Sequence, residues 1–155
     1  MTPSEFHSSR KFAATSFGRI AYVERGSGSA ALFIHGLPLC GYEWRGVLED
    51  LASQRRSIAL DAMGLGYTEV ANGQGVSFAE QARMIAAFLD AERIDTVDLV
   101  GNDTGAGISQ IFVAVGDQSQ MMEDTVKRLD GIRNAARKLR EALQQVAEVT
   151  SRFQI

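Results

Sequence analysis

The segment Gly101-Asn102-Asp103-Thr104-Gly105 is where residue type and spacing most clearly promise chemistry. It lies between an apolar run, Val97 to Val100, and a helical pattern, Ile108 to Val115, so Asp103 falls in a sharp strand-to-helix turn. A residue in such a turn is held in a strained backbone conformation, and small neighbours such as Gly101 and Gly105 keep the turn free of clashes. The side chain is thereby pushed into the open, where the free amides and the dipole of the helix start suit a negative charge. A carboxylate is already a nucleophile: it can displace halide from carbon or open an epoxide, leaving a covalent ester. The competing reading of Asp103 is a plain helix cap.

The elements that must position this turn can be read from hydrophobic periodicity. Arg19 to Glu24 alternates and ends at Gly26-Ser27-Gly28, as a strand before a glycine turn does. Ala30 to Ile34 is apolar throughout, the pattern of a strand covered on both faces. Trp44, Val47, Leu48 and Leu51 make one apolar helical stripe, and Ser57 to Leu60 is a second buried strand leading into Asp61 and Gly64-Leu65-Gly66. Ser77-Phe78-Ala79-Glu80 has the form of a capping box, and Phe78, Ala82, Ile85, Phe88 and Leu89 supply the buried face of the helix it opens. Val97 to Val100 is then a third buried strand. A hairpin-like start followed by alternating strands and helices predicts an α/β fold, a mostly parallel sheet with helices on both faces.

Four motifs in order, Phe17-Gly18-Arg19-Ile20-Ala21-Tyr22, His35-Gly36-Leu37-Pro38, Asp61-Ala62-Met63-Gly64-Leu65-Gly66 and Gly101-Asn102-Asp103-Thr104-Gly105, give residues 11–115 a resemblance to the α/β-hydrolase superfamily. The likeness is to the amino-terminal half of its epoxide hydrolase and haloalkane dehalogenase branch. It implies a hydrolase with Asp103 as nucleophile at the nucleophile elbow, and an oxyanion hole made by the amides of Leu37 and Thr104. His35, Gly36, Pro38, Gly101 and Gly105 are then structural parts of the motifs, and Asp61 an architectural residue. A histidine that ends a buried strand is in any case more simply a packed or turn residue than a catalyst.

The sequence departs from that pattern in three ways. Thr104 stands where haloalkane dehalogenases and most epoxide hydrolases have a tryptophan, Leu37 replaces a polar halide contact, and no cap with ring-opening tyrosines is present. The ester on Asp103 would need water activated by a histidine from a later strand, yet the only histidines are His7, before the first strand in a stretch expected to be mobile, and His35. The reading is therefore of a truncated relative that is alkylated but does not turn over. The substrate would be a small molecule.

Composition narrows the alternatives. With 155 residues, 45% of them hydrophobic, the chain can bury one core, and a net charge of −3 offers no basic field for nucleic acid or anionic lipid. No run is long and apolar enough to cross a bilayer and the start lacks a signal-type segment, so neither membrane nor secretion is expected, and a reducing cytoplasm is. Cys40 is the lone cysteine and has no companions at metal-ligand spacing. No cofactor or metal is expected: the glycine turns lack the dinucleotide fingerprint, and no Walker-type lysine is present.

Residues 116–155 read as a different kind of sequence. They contain no strand pattern and no proline, and Leu129, Ile132, Ala136, Leu139, Leu143, Val146, Thr150 and Phe153 recur in steps of three and four. That is the seam of an amphipathic helix. The alternative function is accordingly a non-catalytic module in which this tail covers a sheet edge or joins copies into a homo-oligomer.

Overall fold

The expected alternation of strand and helix is present, and it places the Asp103 turn at the end of the last strand. A computed structural model describes the backbone of residues 1–151 and the side chains of residues 1–118, 121–131, 133, 134, 137, 138 and 140. The order is α1 (Pro3–Ser8), β1 (Lys11–Thr15), β2 (Gly18–Arg25), β3 (Ala30–Ile34), a 3-10 turn (Gly41–Trp44), α2 (Arg45–Asp50), β4 (Arg56–Leu60), α3 (Phe78–Ala91), β5 (Val97–Gly101) and α4 (Thr104–Ser151). The chain divides into two units, Met1–Ala114 and Val115–Ile155.

In the first unit the sheet runs β1-β2-β4-β3-β5. β3 pairs in parallel with both β4 and β5, while β2 is antiparallel to β1 and β4. Four of the five strands therefore point one way, and the mostly parallel sheet stands as expected. Successive side chains of β3 feed opposite cores, because strand residues alternate between faces. Leu32 and Ile34 pack with Met84, Ile85 and Phe88 of α3 and Ile108 of α4. Ala31 and Phe33 pack on the other face with Phe6 of α1 and Leu48 of α2.

Four local expectations are corrected. The stretch around His7 is an ordered helix: the Thr2 side chain accepts from the Glu5 amide, the Glu5 carboxylate accepts from the Thr2 amide, Pro3 stands in the first turn, and Phe6 is buried. The box at Ser77 is half made, since Ser77 accepts from the Glu80 amide at 3.3 Å while the Glu80 carboxylate pairs instead with Arg83. Phe78 is 40% exposed rather than buried. β5 is an edge strand of the described sheet, with Val97 and Leu99 against the core and Asp98 and Val100 exposed, because the helices on the second face stop short of it.

The hairpin is tied to the sheet by Glu24, which accepts from Lys11 Nζ at 2.6 Å and Arg56 Nε at 2.7 Å. Burial pushes the Glu24 carboxyl up, but the two cationic donors outweigh it and hold the group below its ordinary range. A folded value below the unfolded one adds stability that is complete above the unfolded value and is lost as pH falls through the folded value. Glu24→Gln is thus expected to lower Tm at neutral pH by roughly 3 °C, with the deficit closing in acid. Thermal melts at neutral pH and near pH 3 check this; an equal deficit at both would assign the effect to packing alone.

The second unit is described by itself as helix. Met121, Met122, Val126 and Leu129 are exposed, and Lys127 pairs with Glu123 one turn away at 2.8 Å. Of the expected seam, Leu129 is 59% exposed; the side chains of Ile132, Ala136, Leu139, Leu143, Val146 and Thr150, and all of Phe153, lie outside the described residues. Among the described residues no helix is long and apolar enough to cross a membrane.

Candidate active site

β5 ends at Gly101, α4 begins at Thr104, and the two residues between them form the turn. Asp103 has φ of 51°, the left-handed region that a residue with a side chain rarely enters. Three backbone hydrogen bonds hold the turn: the Asn102 amide donates across to Ile34 O of β3 at 3.1 Å, and the Gly105 and Ala106 amides donate locally to Asn102 O and Asp103 O at 2.9 and 3.1 Å. The glycines expected to clear the turn are needed for close approach. A methyl group on Gly105 would lie 2.2 Å from Ile34 O, and one on Gly101 would lie 2.4 Å from Gly105 O. Asp103 itself is exposed and leans on the loop after β3: a methyl group on Gly36 would lie 2.8 Å from Asp103 Cβ and 2.9 Å from its Oδ2.

That loop carries His35, Gly36, Leu37 and Pro38. Leu37 and Thr104 both line a mostly apolar cavity of about 180 Å3, shared with Met63, Phe78 and Ile108. Asp103 is not on the cavity wall; it stands beside the cavity at Gly36, next to Thr104. Among the described residues, the amides of Leu37 and Thr104 donate to no other group of the chain. The structure thus brings Asp103, Gly36, Leu37, Thr104, Gly101 and Gly105 together around two strand ends.

His35 is fully engaged. Its Nε2 lies 3.0 Å from the Ala62 amide, which can only donate, so Nε2 accepts and the proton sits on Nδ1, 2.9 Å from Gly36 O. His7 Nδ1 lies 3.0 Å from Arg10 Nη2, and a guanidinium has no acceptor, so this nitrogen also accepts. Each histidine's lone pair is therefore committed within its own neighbourhood. Asp61, buried, accepts from the Gly41 and Tyr67 amides at 2.7 and 2.8 Å, and its carbonyl accepts from Thr68. These bonds hold the loops behind the cavity.

Two side chains that the sequence did not single out also shape the site. Glu43 accepts from the Gly36 amide at 3.3 Å and from the Asn102 side chain, joining the two loops that meet at Asp103. Gln81, buried on α3, accepts from the Met63 amide and donates to the Met63 carbonyl, each at 2.9 Å, closing the cavity wall as a strand neighbour would. Gln81→Leu leaves both Met63 groups unpaired and is expected to cost about 2–3 kcal/mol, read from the urea midpoint. An unchanged midpoint would mean that water replaces the amide without loss. Neither residue had a clear signal, since each acts on backbone far away in sequence.

The chain belongs to the α/β hydrolase fold family, whose model matches residues 32–145 and so runs beyond Val115. The proteins it is similar to include haloalkane dehalogenases and epoxide hydrolases, the branch that its motifs resemble, and a further hydrolase. Haloalkane dehalogenase 2 of Mycobacterium bovis is 36% identical over 95 residues, 61% of this chain and 33% of that protein. The 2-hydroxy-6-oxo-2,4-heptadienoate hydrolase of Pseudomonas putida is 34% identical over 90 residues, 56% of this chain and 33% of that protein. The solved structure of epoxide hydrolase CorEH superposes with a TM-score of 0.63 at 32% identity, covering 66% of this chain and 36% of that one. The chain spans about a third of the length of the curated relatives it matches.

Proposed function

We propose that Asp103 is the nucleophile of a hydrolase-type half-reaction on a small carbon electrophile, an alkyl halide or an epoxide. The observation that carries this reading is the left-handed Asp103, with its carboxylate against Gly36 beside a cavity edged by Leu37 and Thr104. One carboxylate oxygen attacks carbon and a C–O bond forms. With a halide, the C–X bond breaks and halide leaves with the bonding pair; with an epoxide, the ring C–O bond breaks and its oxygen takes a proton from water. The Leu37 and Thr104 amides serve as the oxyanion donors. An apolar cavity of about 180 Å3 suits a compact apolar substrate.

The second half-reaction needs a base to activate water, and among the described residues neither histidine is free to act as one. The lone pairs of its two histidines are held by Ala62 and Arg10. On this chain the ester should accumulate rather than turn over. Intact mass after incubation with butyl bromide or styrene oxide tests this. One added group per chain, stable over hours and without product release, is expected; no mass gain removes the reading, and steady release of butanol removes the claim that the ester persists.

A further inference from the structure

The tail carries a second, independent feature. On one stripe of α4, Val115, Met122, Val126 and Leu129 are 42%, 68%, 53% and 59% exposed. The sequence of this stripe is symmetric about Leu129: three residues either way lie Val126 and Ile132, and seven either way lie Met122 and Ala136. Ten and fourteen residues out lie Ser119 with Leu139 and Val115 with Leu143. Steps of three, four and seven residues keep a stripe on one helical face.

We infer that this face binds a second copy of the chain, antiparallel, with the two-fold axis at Leu129. The pairing suits the residue sizes: position 136, alanine, would fall opposite Met122, and position 119, serine, opposite position 139, leucine, so two layers match a small residue to a large one. A parallel pair in register would instead set Met122 on Met122 and Ala136 on Ala136. Charge selects the same direction. Residues 116–125 carry Asp117, Glu123 and Asp124 and no base, whereas residues 133–142, their mirror about Leu129, carry Arg133, Arg137, Lys138 and Arg140 with one acid, Glu141. Antiparallel copies bring the acidic stretch to the basic one, and parallel copies bring like to like. A stripe from Val115 to Leu143 is about 42 Å of helix at 1.5 Å per residue, enough for a two-stranded contact.

The full chain is expected to sediment as a dimer at ~50 μM, and Leu129→Lys, a change at an exposed position, to shift it to monomer. Direction is read by disulfide crosslinking in a Cys40→Ser background. Met122→Cys mixed with Ala136→Cys is expected to form the crosslinked pair, and Met122→Cys alone is not. A native chain that stays monomeric, a dimer indifferent to Leu129→Lys, or Met122→Cys chains that crosslink to each other would each overturn the inference. None of these outcomes bears on Asp103, because the alkylation assay reads the other unit.

Discussion

Asp103→Asn is expected to fold as the native chain does and to take up no alkyl group at the turn. Asparagine is among the few residues with a side chain that tolerate the left-handed region, so a backbone at φ of 51° accepts it with little strain. Its side chain has the same outline as aspartate, which preserves the contact with Gly36. What it lacks is an anionic oxygen with a free electron pair, and the rate of ester formation should fall at least about a thousandfold. Matching thermal melts and lost mass gain would together assign the chemistry to the carboxylate. Equal mass gain in both chains would place the alkylation elsewhere, with Cys40, the lone free thiol, as the first suspect.

Gly105→Ala should unfold much of what the first substitution leaves intact. Helix propensity alone says that alanine improves on glycine by about 1 kcal/mol in a helix. Here the added methyl would lie 2.2 Å from Ile34 O and 2.8 Å from His35 O, both backbone atoms at the end of β3. Neither can swing aside as a side chain could, so α4 must back away from the strand that it packs on. The expected loss is about 3 kcal/mol or more, a large part of a small domain's stability. Gly116, with no atom within 4 Å of the added position, is the control; there alanine should follow propensity and stabilise. Urea denaturation followed by far-UV dichroism distinguishes them, and a Gly105→Ala chain as stable as the native one would mean that the turn is not closely packed.

The sequence carried the turn itself well, because its requirements are local. A strand, a glycine two residues to either side of Asp103, and a helix leave few conformations open to it. The Thr2-Pro3-Ser4-Glu5 start was equally legible, with cap, proline and returning glutamate all in place, yet a terminus invites the assumption of motion. Asp98 was a signal that β5 shows one face to solvent, and a strand wholly buried on both sides seldom holds an unpaired charge. By contrast, Glu43 and Gln81 could not be read ahead. Their partners, Gly36, Asn102 and Met63, are brought near by the sheet, and no spacing encodes such a meeting. Glu80 illustrates the same limit at short range, since Arg83 offered its carboxylate a stronger partner than the Ser77 amide.

The proposed chemistry depends on a single carboxylate, that of Asp103, and its freedom to react. Fragmentation of the butyl-labelled chain by tandem mass spectrometry locates the new bond directly. The butyl group is expected on Asp103, as a base-labile ester within the stretch from β5 to α4. A label found on Cys40, Glu43 or any other side chain, with Asp103 unmodified, would contradict the reading of this turn as a nucleophile's seat.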